Sequence, residues 1–197
     1  HKRIIFNGNN YAPEWVEEAE RRGLLNLRTT VDALPLFKSE KNIDLFTRHK
    51  VLSKAEIHAR YDIIMENYCK TINIEALTMS DMVKKDILPA VFAYSKDLTD
   101  MLAAKKAIGV DISKDAAAQI LEALTDLSGS LYEHVEALDE AIATANGISE
   151  LLDKAKYYKD TVIKCMTDVR AVADQLETIV GAEYWPFPTY GDLLFRI

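Results

Sequence analysis

A chain of 197 residues can bury about 70% of its unfolded surface, enough for one substantial core or two small ones. Its apolar fraction of 49% and charged fraction of 28% exclude a disordered chain, and no window of the sequence is apolar for long enough to span a bilayer. The formal charge of −7 argues against nucleic acid or an anionic membrane as the main partner, because both require a positive surface.

The two cysteines, Cys69 and Cys165, have no CxxC spacing and sit in helical surroundings, which predicts inert thiols in a reducing, cytoplasmic setting. The chain starts His1-Lys2-Arg3 without an initiator methionine or an apolar leader, so an excised piece of a longer polypeptide is expected.

In chain order, Ile4 to Phe6 is an apolar run ended by the turn residues Asn7 to Asn10, a strand remnant or extended arm. Pro13 at a first-turn position and Gly23 at a stop position bracket a short amphipathic helix. Its Trp15, Val16 and Ala19 share one face, and its order of acidic residues first and Arg21 and Arg22 last complements the helix dipole. A second short helix is predicted from a cap at Thr29 or Thr30 to an end near Pro35. A third runs from Ser39 or Asn42 through Phe46 and His49.

Ser53 and Glu56 form a capping box that opens a stretch reaching Lys106 without a glycine. Apolar or small residues return every three or four positions, at Ile57, Tyr61, Ile64, Tyr68, Ile72, Ala76, Met79, Val83, Ile87, Ala90 and Tyr94. Unbroken, it would be about 80 Å long. Pro89 predicts a kink or a break.

After Gly109, Ser113 is a candidate cap for a second long helix with the stripe Ile120, Leu124, Leu127, Leu131, His134, Leu138, Ala141 and Ala145. Gly129 lies inside it, as a tolerated cost or as room for a close neighbour. Between Gly109 and Gly147 eight acidic residues face the single Lys114, which gives this helix an acidic outer face, either a solvated surface or a dock for a basic partner. Asn146 and Gly147 end it, and the third long helix starts at Ser149 with the stripe Leu151, Ala155, Tyr158, Val162, Cys165, Val169, Val172, Leu176 and Ile179. The short link requires an antiparallel pair.

The expected fold is therefore all-α: an antiparallel bundle of three long helices over residues 53–181, the first kinked or broken near Pro89. An irregular segment with short helices, 1–52, precedes it, and an aromatic and proline-rich extended tail, 182–197, follows. That tail includes Trp185, Pro186, Phe187, Pro188 and Tyr190, and reads as a strap on its own domain, a contact with another domain or subunit, or a ligand-binding element.

No stretch carries recognisable chemistry. HExxH, a nucleophile elbow, a phosphate loop and an EF-hand loop are all missing, and His1, His49, His58 and His134 form no local ligand pair. Glu75, beside the inward row of the first long helix, reads as a hydrogen-bond or salt-bridge partner rather than a ligand, and His134 as a core or boundary residue. No catalytic, cofactor-binding or metal-binding residue is assigned.

Four segments carry a resemblance: YCKTINIEALTMSDMVKKDILPA at 68–90, EYWPFPTYGDLLF at 183–195, NLRTTVDALP at 26–35 and LSKAEIHARY at 52–61. Together they resemble the C-terminal region of type III glutamine synthetase, the long-chain bacterial form. The resemblance implies a non-catalytic domain, inactive alone, that serves assembly or regulation of a cytoplasmic enzyme. That parent would join ammonia to glutamate at the expense of ATP, using magnesium or manganese, with its catalytic groups in an upstream domain. The implied partners are that domain and other subunits of a homo-oligomeric ring; Asn73, Glu75 and Thr78 and the tail residues Trp185, Pro186, Phe187, Pro188 and Tyr190 are the signature positions open either to the fragment's own packing or to contact with the domain it was cut from. A free-standing helical interaction module is the alternative.

Overall fold

The computed structural model describes residues 4–188 and 190–195. Its elements are α1 (Pro13–Arg21), α2 (Thr30–Phe37), α3 (Glu40–Arg48), α4 (Lys54–Met82), α5 (Leu88–Ala107), α6 (Ala116–Gly147), α7 (Leu151–Tyr157), α8 (Ile163–Ile179) and α9 (Tyr190–Leu194), with π-helical turns at Val83–Ile87 and Tyr158–Val162. Among the described residues there is no strand, and the fold is all-α. The chain divides into two compact units at the bond between Met65 and Glu66, inside α4.

In the first unit, Ile4 to Phe6 forms no strand, which leaves the arm of the two alternatives. Among the described residues there is no sheet edge to join, and the Phe6 ring packs on Trp15 of α1 with centroids 4.9 Å apart. The Ile4 carbonyl accepts a hydrogen bond from Arg22 at 3.1 Å. Thr29 caps α2 through the Asp32 N–H, and the helix ends near Pro35, at Phe37. Phe37 stacks against Phe46 of α3, centroids 5.7 Å apart, so that end is held by an aromatic contact.

α1, α3 and α5 end alike, each with an N–H reaching five residues back: Leu24 to Ala19, Val51 to Phe46 and Val110 to Lys105. That closure needs a left-handed residue, supplied by Gly23 (φ 73°), Gly109 (φ 81°) and, against the usual preference, Lys50 (φ 56°). The capping box forms as read: the Ser53 N–H donates to Glu56 Oε2 at 2.7 Å and the Glu56 N–H to Ser53 Oγ at 3.3 Å.

The second unit is the bundle. α8 runs along α6, and α5 packs on α6 from another side. The core line of α6 is Leu124, Leu131, Val135, Leu138, Ala141, Ile142 and Ala145, so Val135 and Ile142 join the predicted stripe while His134 is only half-buried. On α7 and α8, Ala155, Tyr158, Val162, Val169, Val172 and Leu176 are buried as their spacing predicts. Along α4 and α5 the buried row is Cys69, Ala76, Ser80, Val83, Ile87, Val91, Leu98 and Leu102. In the first unit the same helix buries Met65 where periodicity pointed to Ile64, which is exposed.

Four local expectations are narrowed or moved. The chain stays helical through Pro89, because the π turn just ahead widens the coil and closes on a Leu88 N–H to Val83 C=O bond, one residue beyond the α pattern. A proline lacks the next N–H and would crowd the carbonyl four residues back, and the wider turn relieves both. Asp115, not Ser113, caps α6 by accepting from the Ala117 N–H at 3.0 Å, while Ser113 bonds back to Asp111. α7 starts at Leu151 rather than Ser149. Finally, a Cβ on Gly129 would meet nothing within 4 Å, so this glycine admits no close neighbour.

Candidate functional site

The residues singled out on α4 divide by the direction in which the helix turns them. Asn73, half-buried, faces inward, and its Oδ1 accepts from the Tyr158 hydroxyl at 3.0 Å. Tyr158 is almost wholly buried, and burial pushes its phenol up, so the bond joins two neutral groups. Glu75 and Thr78 are exposed, and the Thr78 hydroxyl donates to the Ile74 carbonyl one turn back at 2.8 Å. Beside them Ile74 and Leu77 stand 64% and 49% exposed, an apolar outward face on a helix whose opposite side builds the core.

A polar knot that the sequence reading passed over lies one turn on. Ser80 is buried and donates to Asp139 Oδ1 on α6 at 2.7 Å. Lys84 pairs with Asp139 Oδ2, and Glu136 lies 3.9 Å away. The Asp139 bond comes first among the causes that hold the Lys84 ammonium above its usual range. The signal was Ser80 on the inward row with Lys84 four residues on at its margin, opposite an acidic residue of a helix that cannot be aligned without the fold. A second link, Lys105 to Asp115 at 2.7 Å, closes the α5–α6 connection and holds the Asp115 carboxyl below its usual range. The remaining acidic residues of α6, Glu122, Asp126, Glu133, Glu136 and Glu140, are exposed.

In the tail, Tyr184 stacks on Tyr94 of α5, centroids 5.2 Å apart, and its hydroxyl donates to Asp97. That hydrogen bond pushes the phenol up to about 12. Trp185 and Phe187 are half-buried and meet edge to face at 6.1 Å, while Pro186 and Pro188 are exposed. Tyr190 opens α9, but its side chain lies outside the described residues. Leu193, Leu194 and Phe195 are 66%, 71% and 79% exposed.

The magnesium or manganese implied by the resemblance finds no fit here: among the described residues no three His, Cys, Asp or Glu side chains are grouped to hold a metal ion. No described helix is long and apolar enough to cross a membrane.

Residues 1–106 match the family model described as glutamine synthetase C-terminal domain. The chain is similar to a glutamine synthetase of Butyrivibrio fibrisolvens, 43% identical over 200 residues that cover 100% of the chain and 28% of the relative. It is also similar to the type-3 glutamine synthetase of Dictyostelium discoideum, 35% identical over 99% of the chain and 27% of the relative. A glutamine synthetase of Bacteroides fragilis is 26% identical over 98% of the chain and 27% of the relative. The chain thus spans little more than a quarter of the length of these curated relatives. With the family model matching over half of its length, the chain belongs to the glutamine synthetase C-terminal domain family.

Proposed function

We propose that this chain is a non-catalytic helical domain of a long-chain glutamine synthetase, and that it serves the assembly or regulation of the parent enzyme. The supporting observation is the alignment: nearly the whole chain matches relatives named glutamine synthetase, yet it accounts for only 27% to 28% of their length. The parent reaction, glutamate and ammonia joined with ATP hydrolysis in the cytoplasm, then belongs to residues outside this domain. The outward Ile74 and Leu77 of α4 and the exposed Leu193, Leu194 and Phe195 are the contacts proposed to meet the catalytic domain or another subunit of a ring. Glu75 and Thr78 supply the polar margin of that patch, and the Trp185 to Tyr190 segment extends the tail side.

The test is a pair of variants in the full-length polypeptide. Ile74→Ser with Leu77→Ser, and separately deletion of residues 53–197, are expected to shift the intact particle mass toward smaller species or to alter the kinetics. An unchanged mass together with unchanged kinetics for both would overturn the reading. A polypeptide found to end at these 197 residues would point instead to a free-standing interaction module.

A further inference from the structure

The bundle unit carries a cleft of about 380 Å³ where α4 passes the α6–α7 connection and the start of α7. Its chemistry departs from that of its surroundings. The chain is acidic at −7, and α6 turns a row of carboxylates to solvent, yet the cleft is lined by two lysines, Lys70 and Lys154, against one carboxylate, Glu66. Lys70 and Glu66 neutralise each other at 3.0 Å. Lys154, half-buried, makes no ion pair among the described residues. Lys154 lines the cleft together with Cys69, whose thiol burial pushes up and the Lys154 charge draws partly back.

The neutral groups add donors. Asn73 spends its carbonyl oxygen on the Tyr158 hydroxyl, which leaves its NH₂ as the end it can offer to the cleft. Ser149 adds a hydroxyl and Asn146 an amide at the rim. The other wall is apolar: Leu151, the Cys69 side chain and the Tyr158 ring. An uncompensated ammonium and amide donors on one side, with carbon on the other, match an anion that carries a carbon skeleton. A cleft of this volume is within the range of small-molecule sites, which combine an apolar lining with a few placed polar groups. The lining contains no arginine, the side chain best shaped for a phosphate.

We propose that this cleft binds a small organic carboxylate, with its anionic group on Lys154 and the Asn73 amide and its skeleton against Leu151 and the Tyr158 ring. The site goes beyond the assembly role and does not depend on it, since every lining residue belongs to the bundle unit.

The test is a ¹H–¹⁵N NMR titration of the 197-residue chain with succinate, citrate and inorganic phosphate, each to about 10 mM. The expected result is saturable shifts of the Asn73 side-chain NH₂ and of the Asn146 and Ser149 amides with at least one carboxylate, and at least about tenfold weaker binding of phosphate. Lys154→Met keeps the aliphatic stem but removes the charge, and is expected to weaken binding about tenfold or more. Asn73→Asp retains an acceptor for Tyr158 while placing a negative charge in the cleft, and is expected to do the same. Lys156→Met, which alters a neighbouring lysine beside Asp153, leaves binding unchanged. No saturable shift at these residues with either carboxylate, phosphate binding as tightly as both, or equal effects of the Lys154 and Lys156 variants would each overturn the proposal.

Discussion

Tyr184 fastens the start of the tail to α5 by one ring contact and one hydrogen bond, and its chemistry makes the attachment pH-dependent. Its phenol is raised from 10 to about 12, chiefly because the bond to Asp97 requires the proton. A folded-state value above the unfolded one means a contribution that is complete below pH 10 and is lost as pH rises from about 10 to about 12. The Tyr184 ring-carbon resonance is therefore expected to titrate near 12, and Asp97→Asn to bring the midpoint back toward 10. A wild-type midpoint at 10 would show that the bond does not form in solution. Asn73 and Tyr158 illustrate the opposite case, a polar pair read from the sequence only as helix positions 85 residues apart and joined by folding alone. Tyr61 combines both kinds of behaviour: its ring is buried under the Lys38 ammonium, 3.7 Å from the centroid, while its hydroxyl is buried with no partner among the described residues.

At the scale of elements, the long helices show where local rules suffice. The reciprocal bonds of Ser53 and Glu56 are local, three residues apart, so the sequence pattern identifies them without the fold. Gly129 in α6 is the counterexample. Nothing occupies the space a Cβ would fill, and the residue is exposed in the middle of a 32-residue helix. Gly129→Ala is accordingly expected to stabilise the chain by about 0.5–1 kcal/mol, through a smaller entropy loss on ordering the helix. Urea denaturation of the two chains measures it, and a destabilised variant would mean that a neighbour packs there after all. The two π turns, at Val83–Ile87 and Tyr158–Val162, each reset the phase of a helix by one residue. That reset explains why the row after the first turn buries Val91 where strict periodicity placed Ala90 and Tyr94.

At the scale of the molecule, stability and the proposed assembly contact belong to opposite sides of the helices. Leu131 is fully buried in the middle of α6, and Leu131→Ala is expected to cost about 2–5 kcal/mol, lost transfer energy plus the cavity left behind. Ile74→Ser and Leu77→Ser, both on the outward face, should change the stability of the 197-residue chain by no more than about 0.5 kcal/mol each. Thermal denaturation of the three variants separates the two classes. A large loss for the outward pair would place those side chains in the core of the domain itself. The same two-sidedness bears on function, since a helix apolar on its outer face supports the proposed contact with the rest of a longer enzyme.

The sequence by itself determined the all-α class, the three long helices, the capping box at Ser53 and the family, and narrowed the α2 cap to Thr29 or Thr30, because these depend on local spacing, local hydrogen bonds and runs of residue identity. It left Ile4 to Phe6 open between a strand and an arm and the end of α2 only near Pro35, and at both places aromatic contacts within the unit decide the outcome. Only the tertiary structure decided which polar residues meet: Ser80 and Lys84 with Asp139, Asn73 with Tyr158, Lys154 with the wall of a cleft. Those pairings depend on the register between helices, which is fixed by how side chains of different sizes interlock across the bundle and not by the period of any one helix.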